Sequence, residues 1–179
     1  IPSIQDAIDD INANWDITVV LGAEVTHTPV ESIDGIAKRA KQLGAKIVVV
    51  HGETLNEPVT PGTNRAAVEL KYVHIIGHPG LITEEEAEIA LKNDIYLEIS
   101  ARKGHCLGNG HVANIAREVG NKLLVDTDTH APGDIITFDK SYEVALGAGL
   151  SHDEAMKAIV DNPRELLKSK GILWKHPNF

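Results

Sequence analysis

The chain has a single cysteine, Cys106, which rules out an internal disulfide framework and points to a reducing compartment. Aromatic residues make up only 4%, so a core must be assembled from Ile, Val, Leu and Ala. Basic residues are outnumbered by acidic ones, 17 to 26, and the formal net charge is -9. A surface of that sign repels phosphate backbones, so a broad nucleic-acid-binding face is not expected. No apolar run approaches the roughly 20 residues of a membrane span. No secretion signal is read, and a cytoplasmic protein is expected. Low-complexity stretches and linkers are also lacking, so residues 1–179 read as one domain. With 42% hydrophobic and 24% charged residues, the composition is that of an ordinary globular domain with a real core.

The most informative stretch is Leu123 to Pro132. Leu123, Leu124 and Val125 read as a buried strand, stopped by Pro132 and Gly133. Asp128 and His130 are two apart, and residues i and i+2 of a strand share a face. Upstream, β-branched runs at 17–25, 46–51, 72–78 and 95–99 read as further strands. Helical spacing or capping signals mark 4–12, 33–43, 64–70, 84–93, 111–119, 141–147, 151–160 and 163–170. Strands therefore alternate with helices. They are apolar on both faces, as expected of a parallel sheet covered by helices.

Polar residues gather at strand ends: Glu24, His51, His78, Glu98 and Asp128 with His130. One arrives every 20–30 residues, the length of a βα unit. The carboxyl edge of such sheets is where active sites form. One histidine there is usually structural. Several coincident ligands are not easily satisfied without a cation. Three histidines and two acids suit zinc, manganese or iron(II), whereas magnesium alone prefers more oxygen. Five ligands exceed the three of a typical catalytic zinc site, so two or more divalent ions sharing a carboxylate are expected. They would make the pocket positive enough for a small phosphorylated ligand.

Gly22-Ala-Glu24, Val50-His-Gly52, Gly77-His-Pro-Gly80, Leu97-Glu-Ile99 and Asp128-Thr-His130, in that order, resemble the PHP (polymerase and histidinol phosphatase) family. Asn162-Pro163 before a terminal helix is similar to its closing segment. The resemblance covers most of residues 20–170 and is nearest to the histidinol-phosphatase-like phosphoesterases. It implies an α/β fold, a distorted TIM-like (β/α)7 barrel with two to three metals. Glu24 would bridge two ions. His51 and His78 would bind one of that pair, Asp128 the other, and His130 a third. A water activated by the metals and held by Glu24 and Asp128 would attack phosphorus in line. The family's opening His-x-His strand and a second histidine-bearing strand have no counterpart, leaving five strands of seven. The missing segment is expected before Ile1 or from a homo-oligomer or companion chain. These 179 residues alone are therefore expected to be poorly active.

Arg102, Lys103 and His105 follow the Glu98 strand and are expected to grip a substrate phosphate, against the alternative of a solvated loop. Glu98 is expected to support a ligand histidine rather than bind metal. His74 reads as core, and His111, His152 and His176 as surface residues. His27 lies in a loop near the same edge. Asp126 and Asp134 read as supporting acids. Two other readings remain open: an amidohydrolase-type metal-dependent hydrolase, and a non-catalytic barrel serving as a scaffold or an RNA-protein subunit.

Overall fold

The computed structural model describes residues 2–174, and His176 lies outside them. Five strands form, β1 Gly22–Val25, β2 Ile47–His51, β3 Ile75–Gly77, β4 Tyr96–Ser100 and β5 Leu123–Asp126. All pair in parallel, in the spatial order β1-β2-β3-β4-β5. Helices α1 Pro2–Asn14, α2 Ile33–Gln42, α3 Thr63–Val68, α4 Glu84–Lys92, α5 Asn109–Val119 and α6 Phe138–Gly147 alternate with them or flank them. The chain closes with α7 His152–Met156, a π-helical segment Lys157–Asp161 and α8 Asn162–Ser169. No helix among the described residues is long and apolar enough to cross a membrane.

Strand order equals chain order, so every crossover steps the same way. Right-handed connections then put the intervening helices on one face. The core shows this. Val25, Val48, Val50, Ile76, Leu97, Ile99 and Leu123 from the strands pack with Ile33, Ala37, Ala87, Ala90, Val112, Ala113 and Ala116 from the helices. Alanine recurs on the helices because a small side chain lets a helix lie close to a sheet of β-branched residues. The opposite face is treated differently along its length. Near the amino ends of the strands, Ile75, Tyr96 and Leu124 are covered by Leu166 of α8. Near the carboxyl ends that face carries Glu24, Glu98 and Asp126, which line an open cleft of about 930 Å³.

Local signals explain several element limits. Thr83 and Glu86 close a capping box at α4, and Ser151 with Glu154 does the same at α7. Ser32 makes no cap hydrogen bond, because α2 is entered from the 3-10 turn Val30–Ser32. α5 starts at Asn109, two residues before the expected His111. The Asn109 amide is already engaged, donating to the Ser100 carbonyl and accepting from its N–H.

Two expectations about strands are corrected. The run 17–25 becomes strand only from Gly22, because residues 17–20 leave the sheet to wall the cleft. The strand expected to reach Asp128 stops at Asp126. Asp128 then takes a left-handed φ of 45°, so the strand rule does not put Asp128 and His130 on one face.

Candidate metal centre

The carboxyl ends of β2, β3 and β4 assemble a buried histidine cluster. His51 ends β2, His78 follows β3, and His105 comes from the 3-10 turn Cys106 shares after β4. All three are buried, and their ligand nitrogens lie within 4.8 Å of one another. His78 Nε2 is 3.0 Å from His51 Nδ1. The His78 and His105 rings meet edge to face, 4.3 Å between centroids.

Carboxylates bracket the cluster. Glu24 Oε1 is 3.4 Å from His51 Nδ1. Glu98 Oε2 accepts the His78 backbone N–H at 3.0 Å and lies 3.2 Å from His78 Nδ1, out of line for a hydrogen bond. Glu57, in the loop after β2, reaches His27 Nε2 at 3.0 Å and lies 3.5 Å from His105 Nε2. The Glu57 carbonyl lies 3.3 Å from His51 Nε2. Nothing in the sequence marked Glu57. It sits in an irregular loop with no period, and only the folded chain brings that loop back over the histidines.

Glycine makes the assembly possible. A Cβ on Gly52 would come within 2.6 Å of the Gly77 carbonyl oxygen, and one on Gly80 within 2.0 Å of the Glu53 carbonyl oxygen. The two loops bearing the Val50-His-Gly52 and Gly77-His-Pro-Gly80 motifs therefore touch backbone to backbone. Asn64 locks them further, donating to the Pro79 carbonyl at 2.8 Å and accepting from Glu53 N–H at 3.0 Å. His27, His78 and Asp128 are three of the four non-glycine residues with positive φ among those described. Such backbones cost on the order of 1–3 kcal/mol each and gather where function needs them.

The donor set fits a divalent ion. His78 Nδ1, both nitrogens of His105 and Glu98 Oε1 are buried without a hydrogen-bond partner. Buried polar atoms left in that condition cost free energy, which coordination relieves at His105, whereas His78 faces His51 through Nε2 and turns its Nδ1 to Glu98. Tetrahedral zinc with Zn–N near 2.0–2.1 Å puts ligand atoms about 3.3 Å apart, close to the His51–His78 and Glu24–His51 separations. Electrostatics favour the same atoms. The hydrogen bond to His51, ahead of opposing burial, holds the Glu24 carboxyl below its ordinary range. Burial lowers His51, but Glu24 and Glu57 together lift it above its usual value. Burial, then the neighbouring His78, lowers His105, which favours the neutral imidazole with a lone pair to offer.

Asp128, His130 and Arg102 form a second group across the cleft. Arg102 Nη1 donates to Asp128 Oδ2 at 2.8 Å and to the Asp128 carbonyl at 2.9 Å, and also contacts His130 Nδ1. His130 is 63% exposed at its side chain. Asp134 anchors this turn by accepting the His130 and Ala131 N–H groups at 2.9 and 2.8 Å. Those two bonds hold its carboxyl below the ordinary range. Lys103 is exposed, and with Arg102 it lines a neighbouring cavity of about 380 Å³. Asp126 lies on the cleft floor, where solvent reaches it although protein surrounds it. Desolvation, then the charge of Glu98, raises its carboxyl to about 6.

The expected residues thus fall into two sets. Glu24, His51, His78 and Glu98 come together, joined by His105, which was expected beside Lys103 over a phosphate. Asp128 and His130 stand with Arg102 instead. His74 is core, accepting Val48 N–H at 2.9 Å. His152 is exposed, 2.9 Å from the Tyr142 hydroxyl. His111 is half-buried rather than superficial, since its Nε2 lies 2.7 Å from the Ile82 carbonyl between α4 and α5. Cys106 is exposed.

No family model matches the chain. The uncharacterized protein MJ1295 of Methanocaldococcus jannaschii is 50% identical over 163 residues, spanning 90% of this chain and 75% of that protein. The probable phosphatase Teth514_1060 of Thermoanaerobacter sp. (strain X514) is 31% identical over 115 residues, 58% of this chain and about half, 47%, of that protein's length. The probable phosphatase TTE1963 of Caldanaerobacter subterraneus subsp. tengcongensis is 25% identical over 170 residues, 86% of this chain and 67% of that protein. A chain in the cryo-EM structure of archaeal ribonuclease P with mature tRNA superposes with a TM-score of 0.77 at 17% identity, covering 95% of this chain and 77% of that one. That likeness is one of fold.

Proposed function

The chain belongs to the family of the uncharacterized protein MJ1295 of M. jannaschii, and we propose that it is a metal-dependent phosphoesterase acting on small phosphomonoesters. The observation that carries this reading is the buried cluster of His51, His78 and His105 beside Glu24, with nitrogens that lack partners. The probable-phosphatase names of more distant relatives agree with it. In this reading the barrel of the PHP family surrounds the site, and the open face bearing the cleft is its interior.

Glu24, His51 and His78, together with His105, would hold one ion, and Asp128 and His130 would hold another. Zinc, manganese or iron suits the donors. Bound divalent ions supply Lewis acidity and lower the pKa of water. The chain's own groups do the rest. Glu98 orients His78 from behind, through its backbone N–H and beside its Nδ1. Glu24, held ionised by His51 and lining the cleft, accepts a hydrogen bond from the attacking water and orients it. Arg102 and Lys103 bind the phosphoryl oxygens. The water oxygen bonds to phosphorus as the ester P–O bond breaks on the opposite side, and the proton given up by the water is matched by one that the departing alkoxide takes from solvent.

Fold alone does not choose the reaction. The likeness to a ribonuclease P chain supports a second reading, a non-catalytic member of an RNA-protein assembly. The net charge of -9 weighs against it. An amidohydrolase-type reaction would use the same kind of strand-end ligands. One experiment separates these readings. Full-length protein is purified without chelator, its zinc, manganese and iron are measured, and it is assayed on phosphomonoesters, amides and lactones. Bound metal with phosphomonoester turnover is expected. Amide or lactone turnover without phosphatase activity would overturn the reaction assigned, and absence of metal would favour the assembly role.

A further inference from the structure

The Arg102 group is built unlike an ordinary ion pair. Three lone-pair donors converge on a single guanidinium nitrogen: Asp128 Oδ2, the Asp128 carbonyl oxygen and His130 Nδ1. That nitrogen has two hydrogens to give. His130 Nδ1 and the Asp128 carbonyl oxygen are also 2.8 Å apart, so His130 can spend its own proton there or accept from Arg102, not both. One donor atom too many faces the guanidinium. A carboxylate oxygen, a backbone carbonyl oxygen and an imidazole nitrogen around one point are instead what a divalent cation takes.

Two further features show that the point is built rather than incidental. Asp128 adopts a left-handed backbone, φ 45°, which turns its carbonyl and its carboxylate to the same place. Asp134 then clamps the following turn by two backbone N–H groups, holding His130 in position from behind. The Asp128 side chain is only 11% exposed and Arg102 28%, so water competes weakly for the contact.

We propose that Arg102 is a built-in occupant of the second cation's place, and that an ion binds between Asp128 and His130 only when the guanidinium leaves. This rests on the metal-dependent reading above and deepens it. Arg102 neutralises the Asp128 carboxylate and engages His130 while the buried histidine cluster is loaded alone. A substrate phosphate that draws Arg102 toward its own oxygens uncovers the ligands for the second ion, so ion loading follows substrate.

The test counts ions rather than turnover. Metal-stripped full-length protein is dialysed against rising free manganese. Bound manganese is measured by mass spectrometry, and electron paramagnetic resonance reports neighbouring pairs. Wild type is expected to take one ion tightly and a second weakly. Arg102→Gln, which removes the charge and keeps a polar side chain, is expected to take the second ion at least about tenfold more tightly, since a monovalent cation no longer repels a divalent one at close range. Adding Asp128→Asn to Arg102→Gln should abolish that gain. Equal affinities and numbers in wild type and Arg102→Gln would overturn the role of Arg102 while leaving the histidine cluster standing. No bound manganese in either protein would instead overturn the metal-dependent reading itself.

Discussion

Two sets of ligand-type residues face each other across one cleft, and they are held by different means. His51, His78 and His105 are buried between the carboxyl ends of three strands and the loops that follow, and several of their nitrogens have no partner. Asp128 and His130 lie beyond the end of β5, on a turn, with a guanidinium already between them. The first set is preorganised by packing: Gly52 against Gly77, Gly80 against Glu53 and Asn64 across both loops. The second is held by charge, through Arg102 and Asp134. Packing holds a site at constant geometry whether or not it is filled. Charge holds a site that can be exchanged. The comparison therefore predicts a permanent ion on one side and a conditional one on the other.

Changes on the buried side should have the largest effects. His51→Ala or His78→Ala is expected to lose the tightly bound ion and to lower phosphatase activity by more than about 100-fold, because these side chains are the donors themselves. Metal content and kcat would be read together. A variant that kept its metal would erase the distinction drawn here.

Next comes acid sensitivity of the same strands. His74 lies one strand-length below His78, buried, with Nδ1 accepting from Val48. Burial, then Lys170 and Lys41, lowers its pKa to about 4. The unfolded chain binds a proton near pH 6.5 that the folded chain refuses, so stability is full above that pH and falls as pH drops toward 4. The loss is at most roughly 3 kcal/mol, from the size of the shift. Denaturant unfolding at pH 7 and at pH 4.5 should show it, and His74→Phe should flatten that part of the profile.

Glu98→Gln should be milder than loss of a ligand. It keeps an oxygen on the His78 N–H and removes the charge beside Nδ1, so metal affinity is expected to fall about 10–100-fold with the fold intact. The smallest effect belongs to the exposed turn. Asp134→Ala should leave the tight ion untouched and weaken only the second, by less than about tenfold, as read by manganese titration.

Much of this could be read in the sequence, for reasons that differ by residue. Strands that alternate with helices and end in Glu24, His51, His78 and Glu98 were legible because burial writes a continuous apolar run and its end is abrupt. His105 was misplaced because 102–110 has no period, and a 3-10 turn sends its ring inward. Glu57 was invisible for the same reason. For Asp128 and His130 the expected shared strand face failed, since the strand stops at Asp126 and a left-handed residue follows. Local pattern marks which elements carry ligands. Which way a loop folds back depends on contacts many residues away, such as Asn64 on Pro79.

The most direct measurement is a crystal structure of the full-length protein grown with manganese, with anomalous diffraction recorded for that metal. The account predicts one strong peak bonded to His51 and His78, about 2.0–2.3 Å from their facing nitrogens, and Arg102 still between Asp128 and His130 without an ion. A peak between Asp128 and His130 with none at the histidine cluster would contradict it.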